Sequence, residues 1–473
     1  MGSFLTGIVL LLVGGLAAYS ARWAVRYFGL SSFSQIIYHI KVPLEGTNPQ
    51  VLEDWMKMCL MPSAIYMMLV TVAFGLVYQP RPYLIFSLIM FALFIIYAVI
   101  RVGLPSYLSA QSHTSTLYED HFVTAKDVKI ENKSKRNLIH IYLESMENTH
   151  MSKELGGDSE VNLIPELSKL ALDNISFSNT ELMGGALQVT STGWTTAGMV
   201  ASSGGVPINQ SFNAKKYTGN NPFMPGITSI SDILADQGYN QAFLCGSDVK
   251  FGGRAAFYQQ HGNVKLYDWI SAQESGDIPK DYRAFWGFED QKLFAIAKKR
   301  ISELAAEDKP FNFTMLTIDT HHPYGYKCSL CQDTYDNEMA NILACNSAQV
   351  GLFIDWLKQQ PFYDNTTIVL CGDHLSMAAE FIDSYYDKHY LRTTYNCFIN
   401  SVVTPSQMKK RQFTTFDLFP SILESMGVSI EGHRLGLGTS LFSEEKTLTE
   451  TYGYEWLNSE VAKKNKFYNE HIL

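Results

Sequence analysis

Apolar residues are concentrated in three long runs within the first hundred residues of the chain. The runs cover residues 4–19, 58–78 and 83–100. Each run approaches the roughly 20 apolar residues that an α-helix needs to cross a bilayer. We therefore expect a transmembrane region of about three helices at 1–104, followed by a polar connector at 105–135 that lacks hydrophobic periodicity.

The first apolar run is predicted to be a retained membrane anchor, because it lacks the basic start and the small-residue cleavage site of a signal peptide. The segment 31–57 between the first two runs is predicted to form an interfacial helix. If the C-terminal part lies outside the cytoplasm, the basic residues after the first run lie outside as well, against the positive-inside bias. These residues are Arg22, Arg26, Lys41 and Lys57.

Beyond residue 135, short apolar runs alternate with amphipathic stretches. Runs rich in branched side chains predict buried strands at 137–143, 240–244, 311–318, 367–372 and 395–400. Helix-like stretches include 163–171, 290–304 and 347–359. This alternation predicts an α/β fold class, with a mostly parallel central sheet and helices on both faces, in a domain that spans 136–473.

Three of the predicted strands end in polar residues that suit a metal ion. The first, third and fourth strands lead to Glu144, to His321 and to the pair Asp373 and His374. Because the carboxyl ends of parallel strands meet at one edge of a sheet, we expect these side chains to converge. Carboxylate oxygens with an imidazole nitrogen favour one divalent ion, Mn²⁺ first, with Zn²⁺ or Mg²⁺ as alternatives. Taken alone, Asp373 and His374 also fit an ordinary helix cap.

A stretch rich in serine and threonine, residues 190–199, supplies hydroxyl groups at a predicted junction between a loop and a helix. A phosphate bound there would meet free backbone N–H groups and the positive end of the helix dipole. A threonine hydroxyl beside a metal ion could be activated to attack phosphorus. The same composition also fits a simple cap before an apolar helix.

Composition excludes some classes of function and leaves others open. The net charge is −9 and no long basic cluster is present, so the sequence gives no indication of nucleic-acid binding. Seven cysteines are few for a disulfide scaffold, but Cys328, Cys331 and Cys345 lie in one polar region. One disulfide among these three is expected in an oxidising compartment, and half of a zinc site is the alternative.

Four motifs, taken together and in this order, resemble the sulfatase/alkaline-phosphatase superfamily. They are Tyr142-Leu-Glu-Ser145, Thr192-Gly-Trp-Thr-Thr-Ala-Gly-Met-Val200, Thr320-His-His-Pro-Tyr-Gly325 and Cys371-Gly-Asp-His-Leu375. Within the superfamily the chain is similar to the membrane-anchored lipoteichoic acid synthase branch, and most of all to bacterial phosphoglycerol transferases that modify periplasmic glucans. The resemblance covers about residues 135–442 and implies an alkaline-phosphatase-like fold.

The resemblance also implies how the metal is bound and which residue attacks. It implies that Glu144, Thr192, Asp373 and His374 are the metal ligands. Thr192 is implied to be the nucleophile as well, and Thr190 is the alternative. No Cys/Ser-x-Pro-x-Arg motif surrounds Thr192, so the oxidised nucleophile of a true sulfatase is not expected.

Substrate contacts follow from the same resemblance. His321 is implied to contact the transferred phosphate or to protonate the leaving group, and Arg254 is implied to contact the substrate phosphate. Trp194 is a candidate wall of the substrate pocket, although packing explains it equally well. The chain departs from the family at Cys245 and Gly252, where a histidine and a tryptophan are usual, so recognition of the head group stays open.

These implications predict a multi-pass enzyme of the bacterial cytoplasmic (inner) membrane, with its catalytic domain on the periplasmic side of the cell envelope. Its expected reaction moves glycerol phosphate from phosphatidylglycerol to a glycan through a metal-bound phospho-threonine intermediate. The alternatives are a phosphoethanolamine transferase with the same core and a metal-dependent phosphodiesterase that uses water. The acceptor glycan, the native metal and the oligomeric state are not predicted.

Overall fold

The computed structural model of the chain describes residues 2–29, 32–42, 45–76, 80–210 and 222–473. Among these residues, three helices are long and apolar enough to cross a membrane, which confirms the predicted number. The N-terminal helices are α1 (Gly2–Tyr27), α2 (Phe33–Lys41), α3 (Pro49–Trp55), α4 (Met61–Leu76) and α5 (Pro80–Arg101).

The second membrane helix is longer than the sequence predicts. A π-helical turn at Met56–Leu60 joins α3 to α4, so the span begins at Pro49 rather than at residue 58. Pro62 lacks a backbone N–H to donate, and the wide turn directly precedes it. The predicted end of this run at residues 77 and 78 lies outside the described residues.

The segment between the first two membrane helices packs on the domain that follows. A helix is present there, as predicted, but α2 covers only Phe33–Lys41, and several of its side chains are buried. Tyr38 is fully buried and its hydroxyl donates a 2.6 Å hydrogen bond to the carbonyl of Gly252. Residue 31 lies outside the described residues. The structure therefore packs α2 against the following domain, and its position at the membrane interface stays a prediction.

The connector after α5 is also more ordered than its polar sequence predicts. It contains two short helices and a strand, Ile130–Asn132, that pairs with the strand Val428–Ile430 near the end of the domain. Leu117 and Tyr118 are buried there, and the carbonyl of Ser115 accepts a hydrogen bond from Asn465. Long-range packing therefore orders a segment without periodicity of its own.

The domain itself is an α/β structure with a six-stranded central sheet of order β4-β3-β5-β2-β6-β7. All pairings are parallel except β6 with β7, so the predicted, mostly parallel sheet is confirmed. Two further antiparallel pairs, β1–β8 and β9–β10, lie outside this sheet. The strands of the domain are β1 (Ile130–Asn132), β2 (Asn137–Leu143), β3 (Asn240–Cys245), β4 (Lys265–Tyr267), β5 (Phe311–Leu316), β6 (Thr366–Gly372), β7 (Asn396–Ile399), β8 (Val428–Ile430), β9 (Arg434–Leu435) and β10 (Gly438–Thr439).

Helices cover both faces of this sheet, as predicted. Side chains of β2 alternate between two apolar cores: Leu138 and Tyr142 enter one, and Ile139 and Ile141 enter the other. The helices of the connector and the domain are α6 (Leu104–Gln111), α7 (Leu117–His121), α8 (Pro165–Asp173), α9 (Thr195–Gly204), α10 (Ile230–Asp236), α11 (Arg254–Gln260), α12 (Trp269–Glu274), α13 (Asp290–Ala305), α14 (Glu338–Lys358), α15 (Ala379–Tyr385), α16 (Thr415–Ser425), α17 (Leu448–Tyr452) and α18 (Tyr454–Ala462).

The register of the three central strands positions the polar residues that follow them. In the parallel pairing of β2 with β6, Leu143 lies opposite Gly372, and in its pairing with β5, Tyr142 lies opposite Leu316. All three strands therefore end at the same edge of the sheet. The next residues of β2 and β6 are Glu144 and Asp373, which become neighbours.

Candidate active site

A buried cluster of two carboxylates and one imidazole lies at the carboxyl edge of the sheet. The candidate ligand atoms of Glu144, Asp373 and His374 all lie within 4.8 Å of one another. His374 Nε2 is 3.4 Å from Glu144 Oε1 and 3.4 Å from Asp373 Oδ2. The structure thus brings together three of the four predicted metal ligands.

Backbone and hydroxyl groups fix each side chain of this cluster. Asp373 Oδ1 accepts hydrogen bonds from the backbone N–H groups of Ser145 and His374, at 2.8 and 2.9 Å. Glu144 Oε1 accepts one from the Ser145 hydroxyl at 2.8 Å. His374 Nδ1 lies 2.9 Å from the Leu375 carbonyl, an arrangement that directs Nε2 and its lone pair into the cluster.

The cluster fits a divalent cation on chemical grounds. Asp373 Oδ2 is buried and has no hydrogen-bond partner among the described residues. Burial and the adjacent Glu144 raise the pKa of Asp373 to about 7, as expected where two carboxylates share a dry site. A cation between them would neutralise this charge, and the mixed oxygen and nitrogen donors match Mn²⁺ or Zn²⁺. The resemblance to the sulfatase/alkaline-phosphatase superfamily likewise implies one divalent metal ion.

The hydroxyl that lies against this cluster belongs to Thr195. Its Oγ1 is 3.3 Å from Glu144 Oε2 and 3.4 Å from His374 Nε2. Thr195 is the first residue of α9, and Trp194 is the capping residue before it. The first backbone N–H groups of a helix have no partner within the helix, so they can bind an anion beside this hydroxyl.

The two threonines named from the sequence have other partners. The Thr192 hydroxyl donates a 2.8 Å hydrogen bond to the carbonyl of Val189 within a tight turn. The Thr190 hydroxyl donates to Asn458 Oδ1, at 2.9 Å, on α18. The geometry therefore favours Thr195 over both as the hydroxyl of the site. Thr195 lies within the stretch 190–199 that the sequence analysis singled out, and α9 begins there, three residues after Thr192.

A glycine sets the distance between α9 and the metal-binding loop. A Cβ added at Gly198 would lie 1.9 Å from the backbone carbonyl oxygen of Asp373, which no side chain tolerates. The absence of a side chain lets the first turns of α9 pack directly on the Asp373 backbone. This packing brings Thr195 to the carboxylates.

The predicted phosphate-contacting residues line the same pocket. Arg254 is 4% exposed, and its Nε and Nη2 atoms donate to Phe251, Ser247 and Asp248. These bonds hold the guanidinium at the pocket wall. His321 also lines the pocket, and its Nδ1 lies 2.7 Å from the His322 carbonyl, so that its Nε2 points away from this bond. Burial lowers the pKa of His321.

The pocket has a volume of about 50 Å³, and part of its wall comes from the membrane region. Phe28, Gln35 and His39 contribute from the end of α1 and from α2. Trp194 also lines the pocket, and its ring lies 5.3 Å from that of Tyr38 on α2. Trp194 therefore packs against α2 and also lines the pocket. Sequence reasoning missed the α2 residues because no motif marks them.

The fold and the site define the class of protein: the chain belongs to the sulfatase family, whose profile matches residues 136–428. This confirms the predicted resemblance. Phosphoglycerol transferase I of Escherichia fergusonii is 34% identical to the chain over 251 residues, which cover 51% of this chain and 31% of that protein. The protein of the same name from Citrobacter koseri is 34% identical over 249 residues, with the same shares. The match thus spans about a third of the length of these relatives.

Two solved structures share the fold. One is lipooligosaccharide phosphoethanolamine transferase A (EptA), an integral membrane protein of Neisseria meningitidis, with a TM-score of 0.51 at 13% identity. That similarity covers 89% of this chain and 84% of the other. The second is the lipoteichoic acid synthase LtaP of Listeria monocytogenes, with a TM-score of 0.50 at 18% identity over 68% of this chain and 82% of the other.

Proposed function

We propose that the protein is a membrane-anchored phosphoglycerol transferase that moves glycerol phosphate from phosphatidylglycerol to a glycan. The observation that carries the proposal is the Thr195 hydroxyl, 3.3 Å from Glu144 and 3.4 Å from His374 at the start of α9. A nucleophilic hydroxyl, a metal-binding cluster and a helix N-terminus for the phosphate are the parts that phosphoryl transfer needs.

The membrane helices and the relatives support the choice of substrates. A lipid donor stays in the bilayer, so an enzyme anchored by three apolar helices meets it without extracting it. The relatives at 34% identity carry the name phosphoglycerol transferase I. We therefore propose a multi-pass protein of the bacterial cytoplasmic membrane, with the catalytic domain on its periplasmic side.

In the first half of the proposed cycle, the Thr195 oxygen attacks the phosphorus of the donor. The bond between phosphorus and the diacylglycerol oxygen breaks, and glycerol phosphate stays esterified to Thr195. Because His321 Nδ1 faces the His322 carbonyl, the lone pair of the ring is on Nε2, so His321 can take the proton of the Thr195 hydroxyl and pass it to the leaving diacylglycerol oxygen. Arg254 holds the non-bridging phosphate oxygens, because a guanidinium matches their geometry.

Glu144, Asp373 and His374 would hold the metal ion, which we propose is Mn²⁺, with the Thr195 hydroxyl as the fourth protein ligand. When bound, such an ion stabilises negative charge on the phosphoryl oxygens and lowers the pKa of a neighbouring hydroxyl. Hydrogen bonds from Ser145 hold the carboxylates of Glu144 and Asp373 in place for this task.

In the second half, a hydroxyl of the glycan attacks the same phosphorus. The bond to Thr195 breaks, the glycan gains glycerol phosphate, and the proton lost by the glycan hydroxyl restores the threonine hydroxyl. A cycle with a covalent intermediate predicts ping-pong kinetics.

The test measures the transfer of a labelled head group from phospholipid to an oligosaccharide, with the protein reconstituted in vesicles that contain Mn²⁺. We expect label from phosphatidylglycerol to appear in a β-glucan oligosaccharide, with little release when the glycan is left out. Transfer from labelled phosphatidylethanolamine instead would make the protein a phosphoethanolamine transferase. Equal release of label with and without glycan would make it a phosphodiesterase.

A further inference from the structure

A second cavity, of about 240 Å³, lies beside the active-site pocket where α1 meets the catalytic domain. Its wall from the membrane region combines aromatic and basic side chains, and its wall from the domain comes from the loop after His322 and from the start of α15. The lining residues used below are Arg22, Trp23, Arg26, Tyr27, Tyr324 and Glu380.

This cavity lies at the end of a membrane helix. α1 spans Gly2–Tyr27, so Arg22 and Arg26 occupy its last two turns. The same end of α1 touches the catalytic domain, because the rings of Tyr27 and Phe28 lie 6.1 and 6.0 Å from that of His322. The cavity is therefore at the level where lipid head groups meet the domain.

The two arginines lie one turn apart, and both line the cavity. Both are exposed, and neither forms a hydrogen bond or an ion pair with any residue in the described part of the chain. Trp23 Nε1 is a buried donor and likewise lacks a partner there. Three side chains with N–H donors thus border one cavity without an acceptor from the described part of the protein.

One acidic side chain, Glu380, also lines the cavity. Among the lining residues two guanidinium groups and one carboxylate leave a net positive charge, which favours a phosphate group over a neutral ligand, and a further carboxylate nearby, that of Asp54, accepts a 3.3 Å hydrogen bond from the Tyr27 hydroxyl. Hydroxyl groups next to that phosphate could donate to Glu380. These features match a glycerophospholipid whose head group carries both a phosphate and hydroxyls.

We infer that the cavity binds the head group of an anionic phospholipid from the surrounding bilayer, with Arg22 and Arg26 on its phosphate. The inference rests on the proposed function in one respect, which is that the lipid bound beside the active site is the donor of the reaction. The apolar membrane surface next to the cavity, which includes the exposed Met58, accommodates the acyl chains. A lipid site here also explains why basic residues lie at an end of α1 where the positive-inside rule does not expect them.

A thin aromatic wall separates this cavity from the active site. Tyr27 lines the cavity, Phe28 lines the active-site pocket, and both rings contact His322. A lipid held by the arginines would therefore lie one layer of aromatic side chains from the pocket that Thr195 lines.

The test is lipid retention by the full-length protein in native mass spectrometry, with dioleoyl phosphatidylglycerol and dioleoyl phosphatidylcholine as probes. The Thr195→Ala variant serves as background, because it prevents turnover during the measurement. We expect Arg22→Gln/Arg26→Gln to retain phosphatidylglycerol about tenfold less. Arg101→Gln is the matched control, since Arg101 is also an exposed arginine in the last turn of a membrane helix.

Equal retention by the double variant and its background would overturn the inference, and so would an equal loss in Arg101→Gln, which would indicate general charge attraction. An Arg22→Lys/Arg26→Lys variant that keeps part of the retention would support it. In vesicles, the double variant should raise KM for phosphatidylglycerol about tenfold and leave kcat within about twofold. Specific retention without any transfer by the wild type would refute the proposed function and leave the lipid site standing.

Discussion

At the scale of single residues, two buried aspartates near the site each have an oxygen without a hydrogen-bond partner among the described residues, but only one of them belongs to the metal-binding cluster. Asp373 shares the metal-binding cluster, whereas Asp319 lies against Asp290 and accepts a 3.1 Å hydrogen bond from its backbone N–H. Burial and the neighbouring Asp290 raise the pKa of Asp319 to about 10, so it is protonated at neutral pH. An asparagine therefore mimics Asp319 but not a metal-bound Asp373.

This contrast predicts different metal contents for two matched variants. Asp373→Asn should lower the Mn²⁺ affinity of the purified protein at least roughly tenfold, because a ligand oxygen is replaced by an amide. Asp319→Asn should keep the wild-type metal content. Titration with Mn²⁺ followed by elemental analysis checks both, and wild-type affinity in Asp373→Asn would refute the metal assignment.

The sequence predicted the members of the carboxylate and imidazole cluster better than the hydroxyl that lies beside it. Glu144, Asp373 and His374 directly follow apolar strands, and parallel strands must end at one edge of the sheet. The 190–196 stretch instead offers several hydroxyls within seven residues. Which of them faces the metal depends on where α9 begins. Gly193 disfavours helix, and this signal could have moved the helix start to Thr195.

At the scale of secondary-structure elements, the contact between α9 and the loop after β6 controls the site. Gly198→Ala should displace α9 because its new Cβ would meet the Asp373 carbonyl oxygen at 1.9 Å. We expect a loss of about 1–3 kcal/mol in the free energy of unfolding and a drop in kcat/KM of about 100-fold. Gly75→Ala is the control, since a Cβ at this helical glycine meets nothing within 4 Å. Thermal unfolding and transfer assays measure both effects, and wild-type kinetics in Gly198→Ala would contradict the account.

A buried ion pair connects the loop after Glu144 to the loop after His374, because both of its members bond to the Ser376 backbone. Arg392 forms a bidentate ion pair with Glu147, and Glu147 Oε1 also accepts a 2.8 Å hydrogen bond from the backbone N–H of Ser376. Burial alone would raise the pKa of Glu147, but Arg392 holds it below its ordinary value. The pair therefore stabilises the fold above the ordinary glutamate pKa, and this contribution is lost as pH falls through the lowered pKa.

Arg392→Met should cost about 3–5 kcal/mol at neutral pH, because it leaves a buried carboxylate unpaired. In that variant burial raises the pKa of Glu147, so its stability should increase as pH falls towards 5. The double variant Glu147→Gln/Arg392→Met should recover most of the loss and show no such increase. Denaturant unfolding at several pH values tests this, and equal losses in the single and double variants would contradict it.

The central sheet was predictable because its strands are short, apolar and regularly separated by helices. The position of α2 was not. A nine-residue amphipathic helix between two membrane spans has the same pattern whether its apolar side meets lipid or protein. Only the tertiary contacts of Ser34 and Tyr38, with Ser191 and Gly252, distinguish the two.

At the scale of the whole molecule, the membrane region and the catalytic domain share one core. Tyr38 on α2 is fully buried and belongs to an apolar core formed mainly by the domain. Tyr38→Ala should lower the free energy of unfolding by about 3–5 kcal/mol. Tyr97→Ala on α5 removes a tyrosine that is 44% exposed and should leave the domain unchanged. Hydrogen exchange around Trp194 and Gly252 should rise in Tyr38→Ala alone, and no change there would mean that α2 does not rest on the domain.

The account depends most on which hydroxyl attacks phosphorus, and trapping the covalent intermediate tests this directly. The protein is incubated with phosphatidylglycerol without glycan, and the tryptic peptide 170–215 is fragmented in a mass spectrometer. We predict glycerol phosphate on Thr195 in the wild type and in Thr192→Ala, and no adduct in Thr195→Ala. An adduct on Thr192 or Thr190, or one that persists in Thr195→Ala, would contradict the account.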